Sequence, residues 1–250
     1  MESFPDHFSA IAATYARFRP TYPAQLFDWI AALAPAHDSA WDCGAGSGQA
    51  TLALATRFEH VVGTDASAEQ IAQAPAHPGV TWRVAPAEES GLDATSMDAV
   101  TVAQALHWFA LPRFWIEVRR VLRPDGIIVA WSYGIPFLDA DAITRVLREF
   151  HDHVVGPYWP IERGYVDAGY QSIDFPFARL APPALDLRVT WTLEQLAGYL
   201  RSWSATRRYI EKKGTDPVTS LSETLRDAWG AGSREVIWPL TILAGRVSRR

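Results

Sequence analysis

Asp38-Ser39-Ala40-Trp41-Asp42-Cys43-Gly44-Ala45-Gly46-Ser47-Gly48 is the stretch whose reading decides the fold. A short apolar approach ends in Trp41, Asp42 sits at the junction, and three glycines then alternate with small residues. Residues 49–57 are rich in Ala and Leu and read as a helix. The pattern is therefore strand, tight turn, helix. Glycine in such a turn serves a positive φ or the close approach of a ligand to the main chain. The first turn of the following helix adds N–H groups with no partner inside the helix. A dinucleotide turn has glycines at its first, third and sixth positions, but the sixth position counted from Gly44 is Gln49. A carboxylate at Asp42 would repel a pyrophosphate and suits a ligand with positive charge.

Downstream, the same alternation of strand and helix repeats. Residues 60–64 read as a second strand ending at Asp65, 23 residues beyond Asp42. An acid at that point can accept hydrogen bonds from both hydroxyls of a ribose. The other reading, a cap for the next helix, is already served by the box Ser67-Ala68-Glu69-Gln70. Residues 79–84 form a third strand, opening into Ala85-Pro86-Ala87-Glu88-Glu89. Residues 98–103 form a fourth, apolar throughout after its start as a buried parallel strand should be, and it runs into Gln104-Ala105-Leu106-His107-Trp108-Phe109. Residues 112–122 carry Phe114, Trp115, Val118, Val121 and Leu122 on one helical face. Leu122-Arg123-Pro124-Asp125-Gly126 then reads as a sharp turn, with Pro124 ending the helix and Gly126 permitting the reversal, into a fifth strand over residues 127–131. Five β–α units in series predict a doubly wound, parallel α/β sheet.

The glycine stretch, and the order and spacing of motifs over residues 38–131, resemble the class I S-adenosylmethionine-dependent methyltransferases, in their small-molecule branch. The resemblance implies a Rossmann-like, mostly parallel seven-stranded sheet whose last strand, residues 235–243, runs antiparallel. It implies S-adenosyl-L-methionine as cofactor, with S-adenosyl-L-homocysteine as product. Carried over residue by residue, the cofactor would meet Asp42, Gly44, Ala45 and Gly46 at the first turn, and Asp65 and Ala66 after the second strand. Ala87 and Glu88 would meet the adenine, Pro86 standing where the family has an Asp. Gln104 and His107 complete the set after the fourth strand. Tyr15 and Arg19 fall in a stretch, residues 15–23, that resembles an N-terminal lid of this branch; helix packing and a solvated charge are the alternative. His107 stands where a general base would act on an acceptor that keeps its proton, or it hydrogen-bonds backbone or cofactor. The Asn/Asp-Pro-Pro-Tyr/Phe signature of enzymes that modify planar amines is missing at residues 104–108. The segment around Trp203 is similar to relatives of trans-aconitate methyltransferase. Trp108, Trp131, Trp203 and Arg207 are the expected substrate contacts, and a small-molecule acceptor is expected, a carboxylic acid being one candidate.

Composition narrows the classes. A net charge of −5 over 250 residues argues against a nucleic-acid surface. One cysteine, Cys43, excludes internal disulfides and a multi-cysteine zinc site, and no metal is expected. No apolar run reaches the length that crosses a bilayer, and the first twenty residues have no signal-peptide pattern, so a cytoplasmic location without membrane or nucleic-acid partners is expected, with oligomeric state open. Residues 1–250 read as a single domain: lid and first helices to 37, cofactor core 38–133, a helical and aromatic substrate-facing cap 134–233, and a final strand 234–250. Thr21 is expected to cap the helix that carries Leu26, Trp29, Ile30 and Leu33; in the substrate-facing cap, Asp139 is expected to cap one helix, Thr192–Gln195 another and Asp216-Pro217 a third, with a strand over residues 185–191. Two rival functions are a cofactor-binding protein without catalysis and a nicotinamide-dependent oxidoreductase, the latter disfavoured by the glycine spacing.

Overall fold

The computed structural model describes residues 20–247. In chain order the helices and strands of these residues are α1 (Ala24–Leu33), β1 (Ser39–Cys43), α2 (Gln49–Leu54), β2 (His60–Asp65), α3 (Ala68–Gln73), β3 (Val80–Val84), β4 (Met97–Ala103), α4 (Leu111–Val121), β5 (Leu122–Tyr133), α5 (Asp141–Glu149), α6 (Arg163–Asp167), β6 (Ala178–Arg179), β7 (Asp186–Thr192), α7 (Leu193–Arg201), α8 (Ser204–Lys213), α9 (Pro217–Trp229) and β8 (Ser233–Arg246). Residues 15–19 of the expected lid, Tyr15 and Arg19 included, lie outside the described residues. Two compact units emerge: Tyr22–Tyr133 with Tyr165–Leu185 and the chain from Leu240 onward, and Gly134–Gly164 with Asp186–Pro239.

The first unit is the sheet β3-β2-β1-β4-β5-β8-β6. Strands β1 to β5 pair in parallel, and β8 runs antiparallel to β5 from Ile127↔Arg246 to Tyr133↔Leu240. The mostly parallel sheet with an antiparallel last strand is thus observed. Both faces are covered, as the unbroken apolar runs require. Successive residues of β5 alternate faces: Ile128 and Ala130 join Trp41, Val100 and Phe114 on one side, while Val129 and Trp131 join Leu26, Phe27 and Ile30 of α1 on the other. At the starts of β1 and β4, buried Asp98 accepts from Asp38 N and Ser39 N and pairs with Arg123 at 2.8 Å.

Four details differ from the sequence reading. The sixth sheet strand is the two-residue β6, too short to show any periodicity, whereas β7 pairs with residues Ser233–Pro239 of β8 in the second unit. The left-handed residue in the Leu122–Gly126 stretch is Asp125, with φ 65°; Gly126 is required for space, since a Cβ there would sit 2.8 Å from the Arg123 carbonyl. Thr21 does not cap α1, whose N-cap is Pro23 without a side-chain bond, and α5 starts after Ala140 rather than being capped by Asp139. The caps at Thr192, as a reciprocal box with Gln195, and at Asp216 form as expected. No helix among the described residues is long and apolar enough to cross a membrane.

Candidate functional site

The strand order reverses between β1 and β4, so the carboxyl ends of these strands flank the crevice where an open α/β sheet holds its ligand. The β1–α2 turn is pinned there, because Gly44 N and Ala45 N both donate to Thr64 O of β2, at 2.8 and 2.9 Å. Gly44 lies at φ 70°, and a Cβ on it would come within 2.7 Å of the Ala105 Cβ. No side chain fits between the turn and the exit of β4. Gly46 is different: at φ 54° its added Cβ would meet, among the described residues, nothing nearer than Gln70 Oε1 at 3.9 Å, so no described side chain covers its main chain. A flat or extended ligand can approach the backbone at this point.

Asp65, half-buried at the end of β2, accepts from Gly46 N through Oδ2 at 2.9 Å and from Ser67 N through Oδ1 at 2.8 Å. Its carboxylate ties the glycine turn to the start of α3, while Ser67 Oγ, not Asp65, caps that helix. Each carboxylate oxygen retains a lone pair. Ala66 is exposed beside it, Ala87 is buried, and Ala85 N donates to Asp65 O at 3.0 Å, which brings the β3 exit against the β2 exit.

Three expected site residues carry bonds or packing of their own. Asp42 is fully buried: Oδ2 accepts from Thr51 Oγ1 at 2.6 Å and Oδ1 from Thr101 Oγ1 at 2.9 Å. Burial raises its carboxyl to about 6, against the pull of the two threonine hydroxyls. It therefore ties α2 and β4 together behind the turn. Glu88 places Oε1 on Ala110 N at 2.7 Å, at the entrance of α4. Trp131, expected at the substrate, is 0% exposed, packed edge-on against Tyr22 and Phe27 at 5.4 and 6.0 Å; the pleat turns it into the core under α1.

Gln104 leaves β4 at φ 56°, a left-handed conformation that costs a non-glycine residue ~1–2 kcal/mol. Its side chain spans the Tyr133 main chain, accepting from Tyr133 N at 2.9 Å and donating to Tyr133 O at 3.0 Å. His107 follows in a short 3-10 turn, nearly buried, with Nδ1 3.4 Å from Tyr170 Oη and its ring against Trp108. Trp108 itself stays 42% exposed. Thr51, Thr101 and Tyr170 were not read from the sequence; only the register Asp42↔Thr101 between β1 and β4 announces the second.

In the second unit, Trp203 is the N-cap of α8 and closes an aromatic triangle with His151 and Trp159, at centroid separations of 5.7 and 5.4 Å, those two being 5.2 Å apart. Arg207 lies one helical turn on, half-buried, and burial lowers its pKa from the ordinary arginine value. Among the described residues no cluster of His, Cys, Asp or Glu is suited to a metal.

A family model described as a methyltransferase domain matches residues 41–130, from Trp41 of β1 to the middle of β5. A putative methyltransferase of Dictyostelium discoideum is 36% identical over 229 residues, covering 90% of this chain and 87% of its own. The chain belongs to the class I S-adenosylmethionine-dependent methyltransferase family. An uncharacterized methyltransferase-like protein of Schizosaccharomyces pombe is 32% identical over 226 residues, 86% of this chain and 84% of that one. The solved structure of a putative type II methyltransferase from Anaeromyxobacter dehalogenans superposes with a TM-score of 0.87 at 42% identity, over 93% of this methyltransferase and 99% of that chain. The protein is thus an enzyme of methyl transfer, and S-adenosylmethionine is the cofactor of its family.

Proposed function

We propose that this methyltransferase holds S-adenosylmethionine at the Gly44–Gly46 turn and Asp65, and methylates a small molecule that carries an acidic group. The main chain at Gly46, which no described side chain covers, lies beside a carboxylate with lone pairs to spare and supports the cofactor placement. Asp65 would accept from the ribose, Ala87 and Glu88 would face the adenine, and the buried Asp42 would favour positive charge over the turn. Bound there, the cofactor supplies a methyl group already activated by a sulfonium. The protein's own contribution is alignment and the exclusion of water, and positioning of this kind lowers barriers by ~7–11 kcal/mol in favourable cases.

The observation that carries the acceptor class lies in the second unit. Trp159 Nε1 and Thr206 Oγ1 are buried with no hydrogen-bond partner among the described residues, next to Trp203 and Arg207 in sequence or in space. Buried donors without acceptors are uncommon and costly. With Arg207 next to Thr206 in sequence and the Arg163 guanidinium 4.6 Å from the Trp159 ring, they favour an oxygen-rich, anionic group, and the aromatic rings suit a small planar body. A carboxylate acceptor is nucleophilic as it stands, so His107 then has no proton to remove. The test is incorporation of labelled methyl across panels of small carboxylic acids, amines and phenols. Label on acids, with a pH profile that stays flat through the histidine range, is expected. Label confined to amines or phenols overturns the acceptor class.

A further inference from the structure

The parallel ladder between β4 and β5 has its last register pair at Ala103↔Trp131. Gln104 N still donates to Trp131 O at 2.8 Å, but the chain then turns left-handed, at φ 56°, and leaves the sheet. The next partner on β5, Tyr133, would lose its neighbour. Instead the Gln104 side chain supplies one: Oε1 accepts from Tyr133 N at 2.9 Å and Nε2 donates to Tyr133 O at 3.0 Å. A primary amide is a peptide surrogate, with one acceptor and donors in one plane. The ladder is thereby completed by a side chain, which frees the main chain to turn one residue earlier than the sheet allows. The residue delivered by that turn is Ala105, whose Cβ lies 2.7 Å from where a Gly44 Cβ would be, and the Phe109 ring lies 3.1 Å from the same point. Trp108 N donates to Ala105 O at 2.9 Å, so the whole 3-10 turn is referred to Ala105 as well.

We propose that Gln104 is a positioning residue: its amide clamp on Tyr133 sets the left-handed exit of β4, so that Ala105 and Phe109 form the floor under Gly44 and fix the cofactor turn. The functional half of this rests on the cofactor occupying that turn. The mechanical half does not. Chemistry restricts the position narrowly. Glutamate keeps the acceptor but loses the donor and sets a carboxylate against the Tyr133 carbonyl. Asparagine adopts left-handed φ readily but is one methylene too short to bridge Tyr133. Glycine removes the strain and the clamp together.

The experiment compares wild type with Gln104→Asn, Gln104→Glu and Gln104→Gly, measuring thermal midpoint, S-adenosylhomocysteine affinity by calorimetry, and amide exchange at Tyr133, Gly44 and Ala45. The asparagine and glycine variants are expected to keep their midpoints within a few degrees, because φ suits them. All three should lose protection at Tyr133, and with it at Gly44 and Ala45, which donate to Thr64 O. Affinity should fall roughly tenfold, the equivalent of one lost hydrogen bond of usual strength. Wild-type affinity in the asparagine or glycine variant overturns the proposal, as does intact protection at Gly44 and Ala45 once Tyr133 exchanges. If wild type itself binds no S-adenosylhomocysteine, the cofactor placement fails, and exchange at Gly44 and Ala45 alone decides the clamp. Should the glycine variant not fold, asparagine and glutamate carry both arms.

Discussion

Substituting Asp42 by Asn separates what this carboxylate does for the fold from what it does for the ligand. In the folded chain burial raises its pKa from 3.8 to about 6, so the folded state holds the proton more tightly than the unfolded chain does. Stability from this group is therefore greatest below the ordinary aspartate value, falls as pH rises from 3.8 towards 6, and stays at the lower level above that. The displacement corresponds to about 3 kcal/mol, a cost carried in full at pH 7.5. Asparagine keeps the shape, accepts from one of the hydroxyls of Thr51 and Thr101 and donates to the other. Urea unfolding of both proteins from pH 4 to 8 should show the variant gaining on wild type across pH 4–6 and level or ahead at pH 7.5. Its affinity for S-adenosylmethionine should drop, and drop more than that for S-adenosylhomocysteine, whose sulfur is uncharged. Parallel stability curves for the two proteins, or equal losses for the two ligands, would refute the reasoning: the first would mean that Asp42 is not desolvated, the second that its charge does not reach the sulfur.

Other substitutions test neighbouring parts of the account. Gly44→Ala should cost ~2–4 kcal/mol of stability, through a left-handed φ and overlap with Ala105, whereas Gly46→Ala should cost only ~1–2 kcal/mol yet lose cofactor affinity, read by thermal melts and calorimetry together. Burial alone would raise Glu117, but Arg120 and Ser90 hold it down to about 2, so its contribution is complete above pH 4.5 and is lost as pH falls from there towards 2. Glu117→Gln should then lower stability at pH 7 by ~1–3 kcal/mol and flatten the acid limb of the unfolding curve. Trp131→Phe should lower stability by about 1–2 kcal/mol while leaving the acceptor KM unchanged, as fits a core side chain.

The turn, the acid at the end of the second strand and the five-strand order were legible because each depends on local pattern: glycine spacing, runs of apolar residues, and the distance between Asp42 and Asp65. What was illegible depends on pairing across the sheet. Asp42 could be read as an acid near a ligand, but its closure by Thr101 needs the β1–β4 register. Trp131 looked like a pocket residue because it ends a strand, and its burial follows only once α1 is known to cover that face. The two residues of β6 carry no periodic signal at all, whereas the longer alternation over residues 185–191 was legible as a strand of the cap. Gln104 stood out as a polar residue at a strand end, but a side chain that stands in for a peptide leaves no trace in a sequence pattern.

The central claim is that a positively charged methyl donor sits on the bare backbone of the first turn, with Asp65 on its sugar. Calorimetric titration of S-adenosylmethionine into wild type and Asp65→Ala, with thermal midpoints recorded for both, tests it most directly. One site per chain is expected in wild type, and a loss of roughly a hundredfold or more in the variant, as two charge-assisted hydrogen bonds imply. Equal affinity in the two folded proteins would contradict the claim.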